Sequence, residues 1–514
     1  MNKRISLNLI GQIVAFFCSL GISFFITPIV VNNLGSEVYG FVGLANNFTS
    51  YITLFTVAIT SMLSRYVTIS YAKKEYKKAS EYFSTAVITQ TILAFFLLIL
   101  GLLFISKMEN FINISPENIF DVKILWTLIF ISFLLNLPLG CYSVASFAKN
   151  RLDIQAIVIV ASNVIRAGTL AIAFIFFTPK VWYVGLATIL SNQITIIGNY
   201  LIAKKYTPEI QLSIKYFKRK SIYELVVVGI WNSVSRLGQI LRTGLDLLLS
   251  NLFISGTEMG IFSIAKTVPA QLGNLAGSIL NAFEPSMTIA YATAKKENFI
   301  ESILYAMKMN GFICAVPILG VISFGRAFYR LWMPSLTTAE LDKIQILTII
   351  TLTAQVLEVY MQPLYTVNTI TKKLKLPVLV NLGTGILNAV LALIFLNLTN
   401  WGVYIIAVIG SVIYIIRIFT FMPIYAAYCV GVKWNYFYRV LFRGIINFII
   451  IAGIYYLLSS FFAIDSWIML ILVAGFCGII GYIISFVVSF NSSERAKLLS
   501  QIKYKFSMCN NWKE

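Results

Sequence analysis

The sequence predicts an all-α integral membrane protein with about fourteen transmembrane helices, set out as two six-helix bundles related by a parallel repeat plus two C-terminal helices. Composition, recurring apolar runs and an internal echo at a fixed offset predict it. Of 514 residues, 59% are hydrophobic and 12% charged, and mean hydropathy is +0.84. A soluble domain carries roughly 25% charged residues and has no place for so much apolar surface. The apolar runs are each about 20 residues long, enough to cross ~30 Å of hydrocarbon. Inside a bilayer the backbone must satisfy its own amides, so runs of this length are helices. A barrel would show alternation over ~10-residue segments, which the chain lacks.

The expected spans are 6–31, 40–64, 82–106, 121–146, 153–177 and 183–203, then 222–253, 259–290, 298–325, 341–368, 376–397 and 401–427, and last 439–463 and 467–490. Asn110, Asn113 and Pro116 interrupt the apolar pattern between the third and fourth. The domains that follow are a first bundle over 1–203, a cytoplasmic linker over 204–221 and a second bundle over 222–427. Helices 13 and 14 occupy 428–490, and a cytoplasmic tail 491–514.

Lys and Arg set the orientation. With both termini cytoplasmic, the cytoplasmic segments hold about 27 of the 40 basic residues and the opposite segments about six. They include Lys73, Lys74, Lys77 and Lys78, the linker's Lys215, Lys218, Arg219 and Lys220, the turn at Lys295 and Lys296, and the tail's Arg495, Lys497, Lys503, Lys505 and Lys513. This is a strong positive-inside bias. It also accounts for the net charge of +20, which is spread over many short loops rather than gathered on one face as nucleic-acid binding requires. No nucleic-acid partner is expected. The first apolar run is too long for a signal peptide and lacks a cleavage site. Five of the six cysteines fall in or beside apolar runs and Cys509 lies in the tail, with no disulfide or zinc spacing. The chain has no histidine, the commonest metal ligand. No metal site, catalytic residue or organic cofactor is expected.

The second half echoes the first. Gly40 and Ala45, after Asn33-Leu34-Gly35-Ser36-Glu37-Val38-Tyr39, match Gly260 and Ala265 at an offset of 220, which also carries Tyr71-Ala72 onto Tyr291-Ala292. Pro138 and Asn163 match Pro363 and Asn388 at 225. Chance similarity between apolar segments is the competing explanation. A repeat of six helices enters the membrane the same way twice, which predicts an axis along the membrane normal and a central cavity around which the halves rock.

Polar residues inside the spans mark candidate sites. In the seventh helix Asn232, Arg236, Gln239, Thr243, Asp246 and Ser250 are spaced 4, 3, 4, 3 and 4, one stripe of a helix. Arg242 precedes Asp246 by four residues, where the two can pair. The eighth carries Lys266, Gly273, Gly277, Asn281, Glu284 and Thr288 on one face. Gln12, Ser19 and Ser23 of the first helix, and Asn46 of the second, occupy matching places. Charge at the bilayer centre costs at least ~2.5–3.5 kcal/mol per residue, so these groups need water, partners or a ligand. Interhelical ion pairs or snorkelling are the bland alternatives; for Lys308, Arg443 and Arg65, near cytoplasmic ends, snorkelling is favoured. Arg166 and Arg417 are intermediate. Glu358 shares a stripe with Gln355 and Gln362. Excess cationic groups suit an anionic ligand, arginine's planar fork suits phosphate, and the amides and hydroxyls suit sugars. Arg326 and Arg330 read as interfacial anchors with Tyr329 and Trp332.

The 33–40 loop motif, the long second helix closing with Arg65 and the Glu284-Pro285-Ser286 end of the eighth make the chain resemble the polysaccharide transporter family. These are the Wzx-type flippases for lipid-linked oligosaccharides, in the superfamily that also holds lipid II flippases and multidrug extruders. The resemblance covers nearly the whole chain, and the helix plan agrees. It implies a bacterial inner or plasma membrane, alternating access, and a cargo of undecaprenyl-pyrophosphate-linked oligosaccharide for O-antigen, capsule or a related polymer. Other polysaccharide-assembly proteins become possible partners, beside membrane lipids. On that implication Arg236, Arg242 and Lys266 hold pyrophosphate or acidic sugars, and Asn46, Asn232, Gln239 and Asn281 meet hydroxyls. Asp246, Glu284 and Glu358 are the candidates to couple transport to a proton or sodium ion. The rivals are an ion-coupled multidrug exporter of the same fold, a membrane polymerase or ligase, and a scaffold. The short outward loops, longest near 107–120 and 326–340, leave little room for catalytic groups.

Overall fold

The computed structural model describes residues 3–149, 151–293, 296–496 and 498–500. The basic residues Lys295, Lys497, Lys503, Lys505 and Lys513, and Cys509, lie outside the described residues. Seventeen α-helices run in order: α1 (Lys3–Ala72), α2 (Tyr76–Ser106), α3 (Ile119–Leu139), α4 (Val144–Ala148), α5 (Leu152–Phe176), α6 (Trp182–Tyr206), α7 (Arg219–Gln239), α8 (Asp246–Phe253), α9 (Gly256–Thr293), α10 (Lys296–Trp332), α11 (Thr338–Met361), α12 (Pro363–Ile370), α13 (Lys375–Leu398), α14 (Val403–Thr420), α15 (Met422–Val430), α16 (Tyr438–Ser459) and α17 (Trp467–Ser489). The protein is all-α, with no strand among the described residues.

Among the described residues, eleven segments are long and apolar enough to cross a membrane. The difference from fourteen has a physical reason. The first two expected spans run on as one element, α1, whose two helical limbs meet at a non-helical bend at Gly35. The expected seventh and eighth fall short on hydropathy because they carry the polar stripes. Gly35 has φ 84° and ψ 169°, a conformation open to glycine alone.

The chain divides into two compact units. One runs up to Ile264 and adds Val378–Ile406; the other comprises Ala265–Pro377 and the chain from Ala407 onward. The break therefore falls inside α9, not at the 204–221 linker, because α7 packs along α1 and joins the first unit.

In the first unit the linker lies along α2 on a hydroxyl ladder. Ser80 and Ser84 accept from the Gln211 and Ser213 amides, and Thr85 accepts from that of Lys218. The part of α1 just after its Gly35 bend meets the start of α9 through the repeat itself. A Cβ on Gly40 would stand 2.8 Å from the Gly260 Cα, and one on Gly43 2.4 Å from the Ser263 Oγ. Both pairs are related by the offset of 220, and residues meet their own equivalents only beside a local two-fold axis.

The second unit packs around α10, with α11, α16 and α17 against it. Tyr360 is buried between glycines; a Cβ on Gly311 would stand 2.1 Å from its ring and one on Gly444 2.8 Å. Its hydroxyl accepts from Asn447. Lys308, expected to snorkel, instead forms an ion pair with Glu494 at 2.5 Å. Glu494 lies beyond α17. Burial opposes its charge, but Lys308, the Asn491 amide and Arg443 outweigh burial and hold the carboxyl below its usual range. Tyr329 and Trp332, expected at the membrane interface, are buried; Tyr329 shares a hydrogen bond with Thr348. Arg326 and Arg330 pair with Asp342 and Asp465.

A Cβ on Gly260 would lie 2.1 Å from the Ser36 carbonyl oxygen, whereas one on Gly21 would meet nothing within 4 Å. Gly260→Ala is therefore expected to cost about 1–3 kcal/mol of stability and Gly21→Ala far less, measured by thermal unfolding in detergent. Equal losses would remove the close-packing account.

Candidate functional site

The polar stripe of α7 faces the second limb of α1. The approach is close because Gly229 has no side chain: a Cβ there would lie 1.9 Å from the Ala58 carbonyl oxygen. Along this seam the Asn232 amide donates to the Ser61 hydroxyl at 3.0 Å and the Ser233 hydroxyl to the Leu54 carbonyl at 3.1 Å. The Arg236 Nε donates to the Thr53 hydroxyl at 3.3 Å, and its Nη1 to the exposed Gln239 Oε1 at 2.7 Å. The polar faces of the second and seventh helices thus meet in direct hydrogen bonds. Asn232, Arg236 and Gln239 share that face, as their spacing predicts.

The stripe does not continue unbroken. Residues Ile240–Gly244 form a π-helical turn, which adds a residue to the turn and shifts the phase of all that follows. Asn232, Arg236 and Gln239 stand before the shift, Arg242 and Thr243 within it, and Asp246 and Ser250 after it. A π turn frees carbonyls that hydrocarbon does not hydrate. Asn388 of α13 donates to the Arg242 carbonyl at 2.9 Å and the Leu241 carbonyl at 3.4 Å. Asn47 and Tyr51 of α1 donate to the Gly244 carbonyl at 3.1 and 2.6 Å. Sequence reading missed Asn47, Tyr51 and Ser61; Asn388 entered only as a repeat match. Asn46, the residue singled out, is exposed, and its neighbour Asn47 makes the contact. Asp246 is buried, 9% exposed, in the first turn of α8, where the helix dipole favours a carboxylate.

Lys266, Asn281 and Glu284 stand on α9 and Glu358 on α11, in the second unit. Gln355 ties these helices by donating to the Pro269 carbonyl at 3.1 Å. Lys266 and Glu284 are not brought together: 18 residues of helix separate them by roughly 27 Å. Arg417 of α14 donates to the Tyr365 hydroxyl at 2.7 Å and lies over its ring. Arg166 of α5 has a buried Nε without a hydrogen-bond partner among the described residues. The side chain of Gln12 lies outside the described residues. No group of three or more His, Cys, Asp or Glu side chains gathers among the described residues.

A family model described as "Polysaccharide biosynthesis protein" matches residues 6–288. The chain belongs to the polysaccharide biosynthesis protein family. A relative in Bacillus subtilis (strain 168), "Uncharacterized membrane protein EpsK", is 26% identical over 467 residues, 90% of this chain and 91% of its own. Among solved structures, lipid II flippase MurJ in an inward closed conformation superposes with a TM-score of 0.68. It is 15% identical and covers 93% of this chain and 97% of its own. An inward-facing multidrug resistance MATE family transporter of the MOP superfamily superposes at 0.65, with 14% identity and 83% and 97% coverage. This member of the family thus has the multi-pass membrane fold of flippases and exporters.

Asn388→Leu removes the donor to two carbonyls of the π turn. It is expected to cost about 1–3 kcal/mol, read as a lower unfolding temperature in detergent. An unchanged temperature would mean that the turn does not depend on that amide.

Proposed function

We propose that the protein is a flippase that moves undecaprenyl-pyrophosphate-linked oligosaccharide from the cytoplasmic to the outer leaflet of a bacterial membrane by alternating access. Its termini face the cytoplasm, by the distribution of Lys and Arg. The observation that carries the reading is the face of α7 on which Arg236 stands with Asn232 and Gln239. A guanidinium beside amides, on a span too polar for hydrocarbon alone, suits a phosphate carrying sugars. Arg236, Arg242 and Lys266 are assigned to the pyrophosphate or to acidic sugars. Asn46, Asn232, Gln239 and Asn281 are assigned to hydroxyls. Lys266 and Asn281 stand far apart on α9, which fits an extended glycan better than a compact headgroup. Asp246, Glu284 and Glu358 are assigned to a coupling proton or sodium ion.

The test is transfer of lipid-linked oligosaccharide across vesicles that hold the purified protein. Arg236→Ala and Lys266→Ala are expected to lower transfer by tenfold or more, since a hydrogen bond to a charged group contributes about 1.5–3 kcal/mol. Wild-type protein that moves no such lipid, or variants that move it at the wild-type rate, would refute the assignment. Efflux of cationic drugs by the same vesicles would favour the multidrug reading instead.

A further inference from the structure

The loop between α2 and α3, where Asn110, Asn113 and Pro116 interrupt the apolar pattern, is bonded to two helix breaks. Asn113 and Asn251 exchange three hydrogen bonds. The Asn113 backbone amide donates to the Asn251 Oδ1 at 2.8 Å, its side-chain amide to the Asn251 carbonyl at 2.8 Å, and the Asn251 side chain to the Asn113 carbonyl at 2.9 Å. Asn251 is fully buried and sits two residues before the end of α8. Two residues along the loop, Ser115 donates its hydroxyl to the Glu37 Oε1 at 2.7 Å and its amide to the same oxygen at 3.3 Å. Glu37 follows the Gly35 bend of α1, and a Cβ on Gly256, at the start of α9, would lie 3.0 Å from its side chain.

One loop thus bonds the α1 bend and the end of α8. Both breaks fall in the repeat motif, 33–40 in one copy and 253–260 in the other. They lie on the membrane face opposite the lysine-rich linker, since the limb of α1 before Gly35, and α7 continued through α8, each cross once from that side. The glycine contact of Gly40 with Gly260 lies directly beneath.

We propose that the Asn113–Asn251 and Glu37–Ser115 contacts form a latch that holds this face closed and that opens once in each transport cycle. The proposal rests on the flippase reading for its role in transport, though the latch itself can be observed without cargo. The bonds predict an order among variants. Asn251→Ala deletes two of the three bonds, those through its Oδ1 and Nδ2, whereas Asn113→Ala deletes one, because the other two use the Asn113 backbone.

The experiment uses the full chain with its six cysteines replaced by alanine, in vesicles. A single cysteine at Ser36 reports access to a membrane-impermeant thiol reagent added on the face opposite the linker. Ser36 is 6% exposed, so labelling there requires the face to open. Labelling is expected to rise about fivefold for each bond lost, on the usual worth of a hydrogen bond, and so more for Asn251→Ala than for Asn113→Ala. Equal or unchanged labelling in both variants overturns the latch, whatever the cargo. In a second arm, a disulfide between Asn113→Cys and Asn251→Cys is expected to stop transfer of lipid-linked oligosaccharide, and reduction to restore it. Cross-linked protein that transfers at the reduced rate overturns the latch as well. Ordered labelling together with no transfer by the reduced protein supports the latch and refutes the cargo.

Discussion

Hydrocarbon offers nothing to a backbone group that loses its helical partner, and this chain breaks its helices inside the membrane. The π turn within the span and the helix end at the membrane face are both answered by side chains from other elements. The π turn at Ile240–Gly244 passes its freed carbonyls to Asn388, Asn47 and Tyr51. The end of α8 is held through Asn251 by the loop at Asn113. These obligations decide which elements sit together: α7 is drawn against α1, and α13 against α7, although α13 follows more than a hundred residues later in the chain. The first unit takes in Val378–Ile406 for that reason.

Much of this was legible in the sequence. Apolar length located the spans, including the two helices whose polar stripes lower their hydropathy. The offset of 220 proved to be spatial, since Gly40 meets Gly260 and Gly43 meets Ser263. Other features left no signal. A π turn needs no particular composition, so the spacing from Asn232 to Ser250 read as one continuous stripe. Tyr329 and Trp332 have the composition of an interfacial belt, yet neighbouring helices cover them. The pair between Lys308 and Glu494 spans 186 residues, and no local pattern joins its members.

The candidate site was legible by residue type more than by partner. Asn232 and Arg236 were read as ligand-facing, and the structure gives them a second task, binding α7 to α1. The two tasks are compatible because a guanidinium has five donors and Arg236 commits Nε and Nη1 to protein groups. The same seam that holds the helices together thus also positions the group assigned to phosphate. Lys266 and Glu284 shared a face on paper, but a shared face on a 38-residue helix says nothing about distance along it.

The central claim is that the α7 face meets a lipid-linked glycan. A cysteine at Gln239, an exposed position beside Arg236, tests it by the rate of thiol modification in vesicles. Lipid-linked oligosaccharide should slow modification, and the same carrier lipid bearing phosphate without sugar should slow it less. Modification at an unchanged rate, under conditions in which that lipid is still being transferred, would place the cargo elsewhere in the protein.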